Sequence, residues 1–460
     1  MIDYPATITA RMHAARMFDD DADRLECVKR AWDYYEGRHP DMLLVWPGEP
    51  NDNVTMNLAR VIVDRGISFL FGKDLEWQFD ETDAIDTPAE EAIGAVWDAN
   101  SKMTLLHEVG QNGFLGGVAL IKIAPQPTGP IRLINLNPAE VKLCHAPDDC
   151  EDVYRFIIKY TADDAQGNEI HRAEVIERQG PRGTPTWQIQ QYIALGSARG
   201  YTPDGPPIAW PYVNGPIQYC KNMPRANCPY GYSDLEDFKL HNALNLLLSS
   251  IRKTLRLFPD PQDVLFGASA KGLQRGGANI WGELPATARI ERLEMSADAL
   301  SAAQQFYMDL RAAIFAGARM TDMASIGERL GQVTNFGLKV LFMDFLQLND
   351  TKRTLYGGLI CRVNSTLAEI MGLGDIETSI TWPDPLPIDE VATVQAVTAK
   401  KATGLVSDET LTQELGYDYD DEQTRIAAQP QPIQVDANGG DPLMPGQRGA
   451  LPEPSTPYGG

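Results

Sequence analysis

The first of three long helical patterns in the chain begins near residue 233. Ser233 and Glu236 form a capping box, in which each side chain satisfies a free backbone N–H of the other residue. Apolar residues then recur at the three- and four-residue spacing of one helix face. They are Leu240, Leu244, Leu247, Leu248, Ile251, Leu255 and Phe258. Pro259 ends the pattern, because the residue before a proline avoids the α region, so a helix is predicted over residues 234–258.

Two further long helices are predicted after it. The second begins at Ser296 and ends at Gly317, with an apolar seam at Leu300, Ala303, Tyr307, Leu310 and Ile314. The third runs from about Asn335 to Met371, and Gly357-Gly358 predicts a kink inside it. Its apolar stripe is Leu341, Phe345, Leu348, Leu355 and Leu359. The mean helix of a globular protein has about 11–12 residues, so these lengths indicate an elongated stalk that packs against copies of itself.

The first half of the chain combines helices with a predicted antiparallel sheet. Helical patterns cover residues 25–37, 54–72, 87–99 and 102–112, and from residue 118 to about 195 apolar and polar positions alternate. The predicted strands are Val118–Ile123, Ile131–Leu136, Val141–His145, Tyr154–Tyr160, Glu169–Glu177 and Trp187–Ile193. Their short connections favour an antiparallel meander.

Three other segments complete the organisation. Short strand patterns separated by glycines in residues 259–295 predict a small α+β module between the first two long helices. Residues 380–428 carry short helical patterns, and residues 429–460 are rich in Pro and Gly with few apolar residues. A segment of that composition cannot bury enough surface to offset its ordering entropy, so a disordered tail is predicted.

Composition restricts the class of protein. The chain has 460 residues, with 40 Lys+Arg against 63 Asp+Glu and a net charge of −23. Such an acidic balance is atypical of a protein that grips nucleic acid, which needs Lys and Arg to neutralise phosphates. The six scattered cysteines indicate a reducing setting, and no run of about 18 apolar residues predicts a membrane span.

Motifs for catalysis or metal binding are weak throughout. The segment from Gly66 to Asp74 differs from a phosphate-binding loop, because five residues separate its glycines and an Asp replaces the magnesium-binding hydroxyl; a helix C-cap at Gly72 is the simpler interpretation. Cys144, His145 and Cys150, or Cys220 and Cys228, have wider spacing than structural zinc sites. We therefore expect no metal and no cofactor, and we interpret the clustered carboxylates as solvated faces or caps.

The polar side of the first long helix leaves two interpretations open. Its basic residues are Lys239, Arg252, Lys253 and Arg256. They form either an ordinary solvated face or salt bridges to a neighbouring subunit, or else a surface directed at nucleic acid.

Six local motifs, in their order along the chain, resemble a known family. They are Trp32–Pro40, Asn57–Lys73, Gly116–Lys122, Asn137–Val141, Trp382–Glu390 and Gly404–Thr410. In this order, over roughly residues 25–427, they are similar to the portal proteins of tailed bacteriophages, which form the ring that joins capsid to tail. Residues 335–339 (Asn-Phe-Gly-Leu-Lys) depart from the family, which often has Ser-Gly followed by Ala-Leu-Lys there.

The resemblance implies an α+β portal fold that forms a ring. The implied parts are a wing of helices and antiparallel sheet (1–231), a stem helix (232–258), a clip (259–295), a second stem helix (296–317), a tunnel loop (318–335), a long helix returning to the wing (336–379), a helical crown (380–428) and the tail (429–460). The implied function is a non-enzymatic, dodecameric conduit for double-stranded DNA at one capsid vertex of the virion, assembled in the host cytoplasm.

The resemblance also implies partners and site residues. The partners are copies of the chain itself, double-stranded DNA, the terminase large subunit, a head–tail adaptor, and the major capsid and scaffold proteins, with no membrane. The DNA-channel candidates are Arg319, Asp322, Glu328 and Arg329; the stem-lining candidates are Lys239, Arg252, Lys253 and Arg256; the clip-docking candidates are Gln274, Arg275, Trp281 and Glu283. The alternatives are another head or scaffold component without a channel, and a carboxylate-dependent hydrolase.

Overall fold

The computed structural model describes most of the chain between residues 21 and 428. The described ranges are 21–79, 88–163, 167, 169–180, 185–195, 200–257, 262–267, 287–293, 297–322, 335–374, 376–386, 390–415, 417 and 419–428. They fall into two compact units, one before and one after the boundary between Pro387 and Ile388. Within these ranges, no helix combines the length and apolar character needed to cross a bilayer. The predicted tail lies outside the described residues.

The first unit contains eight of the described helices and all of the described strands. The helices are α1 (Ala22–Tyr35), α2 (Leu58–Phe71), α3 (Pro88–Ala99), α4 (Lys102–Gly116), α5 (Phe238–Leu257), α6 (Ala297–Gly317), α7 (Asn335–Leu341) and α8 (Met343–Met371). The second unit contains α9 (Glu390–Thr403), α10 (Asp408–Glu414) and α11 (Tyr419–Ala428). Helices and strands therefore combine in one chain, which confirms the α+β class.

The strands form antiparallel sheets. They are β1 (Glu76–Phe79), β2 (Val118–Ala124), β3 (Arg132–Asn135), β4 (Val141–Ala146), β5 (Asp149–Asp163), β6 (Glu169–Gln179), β7 (Thr186–Leu195), β8 (Thr202–Pro203), β9 (Ile208–Trp210), β10 (Ile217–Lys221), β11 (Gln262–Phe266), β12 (Arg289–Leu293) and β13 (Thr378–Thr381). The largest sheet has the order β4-β5-β6-β7-β8, with β9 also paired to β7, and a second has the order β10-β2-β3. The consecutive order from β4 to β7 confirms the predicted meander for these strands, whereas β2 and β3 belong to the separate sheet with β10.

Two cores hold the first unit together. The larger is lined by α2, α3, α4 and α8, where Val63, Trp97 and Leu367 are fully buried. The smaller lies between the two main sheets and includes Leu120 and Ile176. Burying each large apolar side chain contributes about 1.5–3 kcal/mol, so packing on these cores fixes the position of α8 and the helices it contacts.

The capping box predicted at Ser233 is wrong as a helix start, because α5 begins five residues later at Phe238. The Ser233 hydroxyl instead donates to the Phe114 carbonyl (2.9 Å), and the Asp234 backbone N–H donates to the same carbonyl (2.9 Å). The segment therefore caps the end of α4. Asp237 instead caps the start of α5, since its carboxylate accepts a hydrogen bond from the Lys239 backbone N–H (3.1 Å).

The third long helix is divided, although its overall extent was predicted well. It consists of α7 and α8, which are separated at Phe342. Phe342 and Phe345 both pack on Phe69 of α2, with ring centroids 5.9 and 4.8 Å away. This contact with α2 holds the break in place, whereas α8 continues as one helix through Gly357-Gly358.

Candidate functional site

The end of α6 has an unusual residue in its capping turn. The Met320 N–H donates to the Phe315 carbonyl (2.8 Å), and the Arg319 N–H donates to the Ala316 carbonyl (3.0 Å). This hydrogen-bond pair is a Schellman motif, whose left-handed position is normally occupied by glycine. Here the position holds Arg319, with φ of +54° and an exposed side chain. The left-handed conformation costs an L-residue about 1–2 kcal/mol, so a long cation is displayed at an energetically unfavourable position.

The residues after Arg319 are clamped to three helices. Arg311 of α6 binds Asp322 through two hydrogen bonds of 2.8 and 3.0 Å. Arg65 of α2 donates to the Thr321 carbonyl (3.0 Å), and the Thr321 hydroxyl donates to the Leu341 carbonyl of α7 (2.6 Å). The hydrogen bond to Asp322 raises the pKa of Arg311. The chain therefore leaves the described body at residue 322 from a fixed position.

The DNA-channel candidates differ in exposure and in their contacts. Arg319 is exposed, whereas Asp322 is 9% exposed and engaged by Arg311. That geometry favours a structural role for Asp322, and its predicted role toward DNA stays untested. Glu328 and Arg329 lie outside the described residues, as do the clip candidates Gln274, Arg275, Trp281 and Glu283.

The polar stripe of α5 is covered by a segment of the same chain. Its members recur every three or four residues and are Asn242, Asn245, Ser249, Arg252 and Arg256. The Asn245 side chain accepts a hydrogen bond from the Met56 backbone N–H, and the Ser249 hydroxyl accepts one from the Val54 backbone N–H (both 2.9 Å). Asn242 accepts from the Tyr34 hydroxyl (2.5 Å). The prediction that this side of the helix is simply solvated is therefore wrong in part, because residues 52–56 dock on it.

The four basic stem candidates consequently occupy two different lines of α5. Arg256 forms a bidentate pair with Asp52, the shortest bond being 2.6 Å, and this hydrogen bonding lowers the pKa of Asp52. Arg252 reaches the Asn53 carbonyl (3.5 Å). Lys239 and Lys253 lie on a separate line with Leu246, at intervals of two turns, where Lys239 is exposed and Lys253 half-buried. Among the described contacts, neither lysine forms a hydrogen bond with residues 52–56, although the positive charge of Lys253 contributes to the lowered pKa of Asp52.

A buried polar network ties α8 to the start of α5. The Lys352 ammonium binds both carboxylate oxygens of Asp234 (2.8 and 2.6 Å) and lies 3.2 Å from the centre of the Phe114 ring. The Asn222 amide donates to Asp234 (2.8 Å) and accepts from the Tyr356 hydroxyl (3.1 Å). Lys352 is only 2% exposed, and burial lowers its pKa although Asp234 opposes the change.

Sequence patterns missed this network, although one signal was present. In the stripe of the third helix, Lys352 stands four residues after Leu348 and three before Leu355, at the spacing of a buried helix face. A lysine at such a position requires a partner, because an unpaired buried charge is very costly. The sequence does not identify Asp234 and Asn222 as those partners.

A cleft of about 520 Å³ lies beside this network, between the start of α5 and the end of α6. Its acidic wall is formed by Asp234, Glu236 and Asp237. Each carboxylate already accepts a hydrogen bond from the chain. Asp234 accepts from the Lys352 ammonium, Glu236 from the Ser233 backbone and Asp237 from the Lys239 backbone. Burial raises the pKa of Glu236, but the neighbouring hydroxyl of Ser233 in the cleft lining already donates to the Phe114 carbonyl. The hydrolase interpretation gains no specific support.

Metal binding also gains no support from the described part of the chain. Within it, no three His, Cys, Asp or Glu side chains converge as a metal site requires. Burial raises the pKa of Cys220 to about 12, so its thiol stays protonated and is a poor metal ligand. Cys220 is therefore a buried core residue in β10.

His241, in the same cleft, predicts a measurable pH dependence of stability. Burial lowers its pKa from 6.5 to about 4, and the nearby His39 adds to this while Asp237 opposes it. The folded chain thus keeps His241 neutral while the unfolded chain protonates it near pH 6.5. We expect stability to be complete above that pH and to fall by about 2–3 kcal/mol as pH drops toward 4.

Urea unfolding at several pH values measures this effect. His241→Gln should flatten the stability profile between pH 6.5 and 4, whereas His171→Asn, at an exposed position on β6, should leave it unchanged. An unaltered slope in His241→Gln would show that other groups produce the acid sensitivity.

The fold and the candidate site together define a class: an α+β protein in which a buried ion pair and a covered polar stripe fix long helices to a sheet-containing body. The chain belongs to the family described as phage portal protein, SPP1 Gp6-like, which matches residues 15–435. It is therefore a portal-family protein of the bacteriophage head–tail connector, a family of structural proteins. The resemblance inferred from sequence motifs is confirmed.

No curated protein matches the chain significantly. Among solved structures, the chain is similar to one from the neck of an empty GTA particle computed with C6 symmetry, with a TM-score of 0.43 and 13% identity, over 81% of this chain and 95% of that chain.

Proposed function

We propose that this chain forms a closed dodecameric ring at one capsid vertex and conducts double-stranded DNA during packaging and ejection. The family match over residues 15–435 is the observation that supports the proposal. In this arrangement α5 and α6 form the stem, β11 and β12 belong to the clip, residues 318–335 form the tunnel loop, and α9 to α11 form the crown. Strands β1 to β10 and α1 to α4 form the wing, and α7 and α8 form the long helix that returns to it.

The electrostatics suit a conduit for DNA. A net charge of −23 per chain disfavours tight binding, because gripping DNA requires cations that displace its counterions. At about 0.15 M salt the Debye length is about 8 Å, so only charges near the channel wall act on the strand. Ring symmetry repeats each side chain in every subunit, and Arg319 would thereby become a ring of positive charge at the base of the tunnel loop.

Docking roles complete the proposal. The clip, with Gln274, Arg275, Trp281 and Glu283, would bind the terminase large subunit during packaging and the head–tail adaptor afterwards. The wing would contact the major capsid and scaffold proteins. The ring would assemble in the host cytoplasm and remain in the virion.

Arg319 supplies a prediction in which stability and function change in opposite directions. Arg319→Gly removes the left-handed strain, so the free energy of unfolding should rise by about 1 kcal/mol. The same change removes the proposed ring of charge, so heads carrying it should package less DNA. Urea unfolding and the DNA content of purified heads measure the two effects.

Arg319→Lys is the matched control, because it keeps both the charge and the strain. It should package DNA normally at unchanged stability. Full heads from Arg319→Gly would remove Arg319 from the channel while leaving the ring proposal intact.

Native mass spectrometry and electron microscopy of the purified protein test the ring itself. We expect annular particles of about twelve subunits, as a closed cyclic assembly requires. A stable monomer at micromolar concentration would contradict the proposal. Normal DNA filling of heads assembled without this protein would instead indicate a head or scaffold component without a channel.

A further inference from the structure

One loop of the first unit exposes three consecutive large apolar side chains. Leu44, Val45 and Trp46 are 84%, 44% and 66% exposed. Single apolar residues on a surface are ordinary, but a contiguous exposed group marks an interaction site. We call residues 43–49 the Trp46 loop.

The Trp46 loop is held in a defined conformation. The Asn53 side chain brackets Leu43, accepting its backbone N–H (2.8 Å) and donating to its carbonyl (2.9 Å). The Glu49 N–H donates to the Trp46 carbonyl (3.0 Å), and Gly48 has φ of +90°. With Pro47 before that glycine, the geometry is a type II turn. A preorganised apolar loop loses little entropy on binding.

The loop is also rigidly continuous with α5. The docked segment that follows it connects to the helix through the Asp52–Arg256 pair and through the hydrogen bonds of Val54 and Met56. The loop and the helix therefore move together, and a partner bound to one is positioned relative to the other.

The same helix carries a second, partly exposed patch of complementary chemistry, in which Lys239 and Leu246 are exposed and Lys253 is half-buried. Leu246 is 44% exposed and is flanked two turns away on each side by Lys239 and Lys253. The Trp46 loop is flanked by the exposed carboxylates of Asp41 and Glu49. The Leu246 patch therefore has an apolar centre between two lysines, and the Trp46 loop has an apolar centre between two carboxylates. Complementary charges of this kind fix the register of an interface.

We propose that the Trp46 loop of one copy packs on the Leu246 line of α5 in the next copy. Because the two patches differ, the contact is heterologous, which is the type of contact that closes a ring. A stable interface buries roughly 800 Å² per partner with a few central anchors, often Trp. Trp46 is such an anchor, and the exposed faces of α5 and α6 supply the remaining area. The inference rests on the proposed ring, for which it specifies the subunit contact.

Assembly of the purified full-length chain tests the contact. Trp46→Asp should raise the concentration at which half of the chains are assembled by at least about tenfold, with unchanged unfolding of the single chain because the side chain is exposed. Trp46→Phe should assemble normally. Ile208→Asp, at a position 59% exposed on β9, is the matched control and should also assemble normally.

A charge exchange tests the pairing directly. Lys253→Glu should weaken assembly, and adding Glu49→Lys to it should restore assembly if the two sites meet across the interface. A benzophenone amino acid at position 46 should crosslink to residues 238–257 of another copy.

The outcomes separate this inference from the proposed function. Normal rings from Trp46→Asp, or crosslinks only within one chain, would overturn the loop contact while the ring survives. Failure of the unaltered chain to form rings under any condition would overturn the proposed function itself.

Discussion

Replacing Lys352 by alanine is expected to cost about 3–5 kcal/mol of folding free energy, as removal of one partner from a buried ion pair does. The Asp234 carboxylate would keep its bond from Asn222 but lose both bonds from the ammonium. The loss also removes the cation over the Phe114 ring. Urea unfolding followed by tryptophan fluorescence measures the change.

Two variants make this prediction specific. Lys239→Ala removes an exposed lysine from α5 and should change stability by less than about 0.5 kcal/mol. Lys352→Met combined with Asp234→Asn removes both charges at similar volume and should recover a large part of the loss, because a buried pair often contributes little relative to apolar or neutral replacements. A loss below about 1 kcal/mol for Lys352→Ala would mean that water reaches the site.

Gly117→Ala is expected to destabilise the fold by about 3 kcal/mol or more, combining backbone strain with a steric clash. Gly117 has φ of +78°, and an added Cβ would lie 2.5 Å from the Gly231 carbonyl oxygen. That carbonyl belongs to backbone, which a side-chain rotation cannot move away. The clash would separate the α4–β2 junction from the segment that leads into α5.

Gly372→Ala separates the cost of backbone strain from the cost of the steric clash. Gly372 also follows a helix in the left-handed conformation, with φ of +71°, but an added Cβ there has no neighbour within 4 Å. It should therefore show only the backbone cost, about 1–2 kcal/mol. Equal losses at the two glycines would contradict the close approach at Gly117.

Both predictions concern one junction of the molecule. Lys352 and Tyr356 of α8, Asn222 after β10, and Asp234 before α5 meet where Gly117 contacts Gly231. This junction sets the direction in which α5 leaves the sheet-containing body. Within the proposed ring, it would transmit force on the stem to the wing through a few buried hydrogen bonds.

Local patterns predicted most elements correctly because local interactions determine them. The strands from Val141 to Leu195 have alternating faces and short turns, so sequence order became spatial order in the meander. The exception at Ser233 is informative: Glu236 does bind the Ser233 backbone, but the Phe114 carbonyl holds the Ser233 hydroxyl and the Asp234 N–H, and α5 begins only at Phe238. A sequence pattern cannot weigh a partner that is distant in the chain.

In the candidate site, too, the sequence selected residues whose partners only the structure identifies. Arg319 was selected from sequence, and the structure adds the left-handed backbone that distinguishes it from other exposed arginines. Asp322 was selected equally, yet its partner Arg311 is identified only by the way the chain turns back on α6. Strand β13 was missed because its pairing with β1 joins residues about 300 positions apart in the chain, which no local period reports.

By itself, the sequence determined the α+β class, the long helices and the family, because periodicity, turn residues and ordered motifs are local properties of the chain. The tertiary structure alone decided which buried charges are paired and with what: Lys352 with Asp234, Asp322 with Arg311, and Asp52 with the exposed Arg256. The reason is physical, since a charge is stable in a buried site only when a partner arrives from elsewhere in the fold.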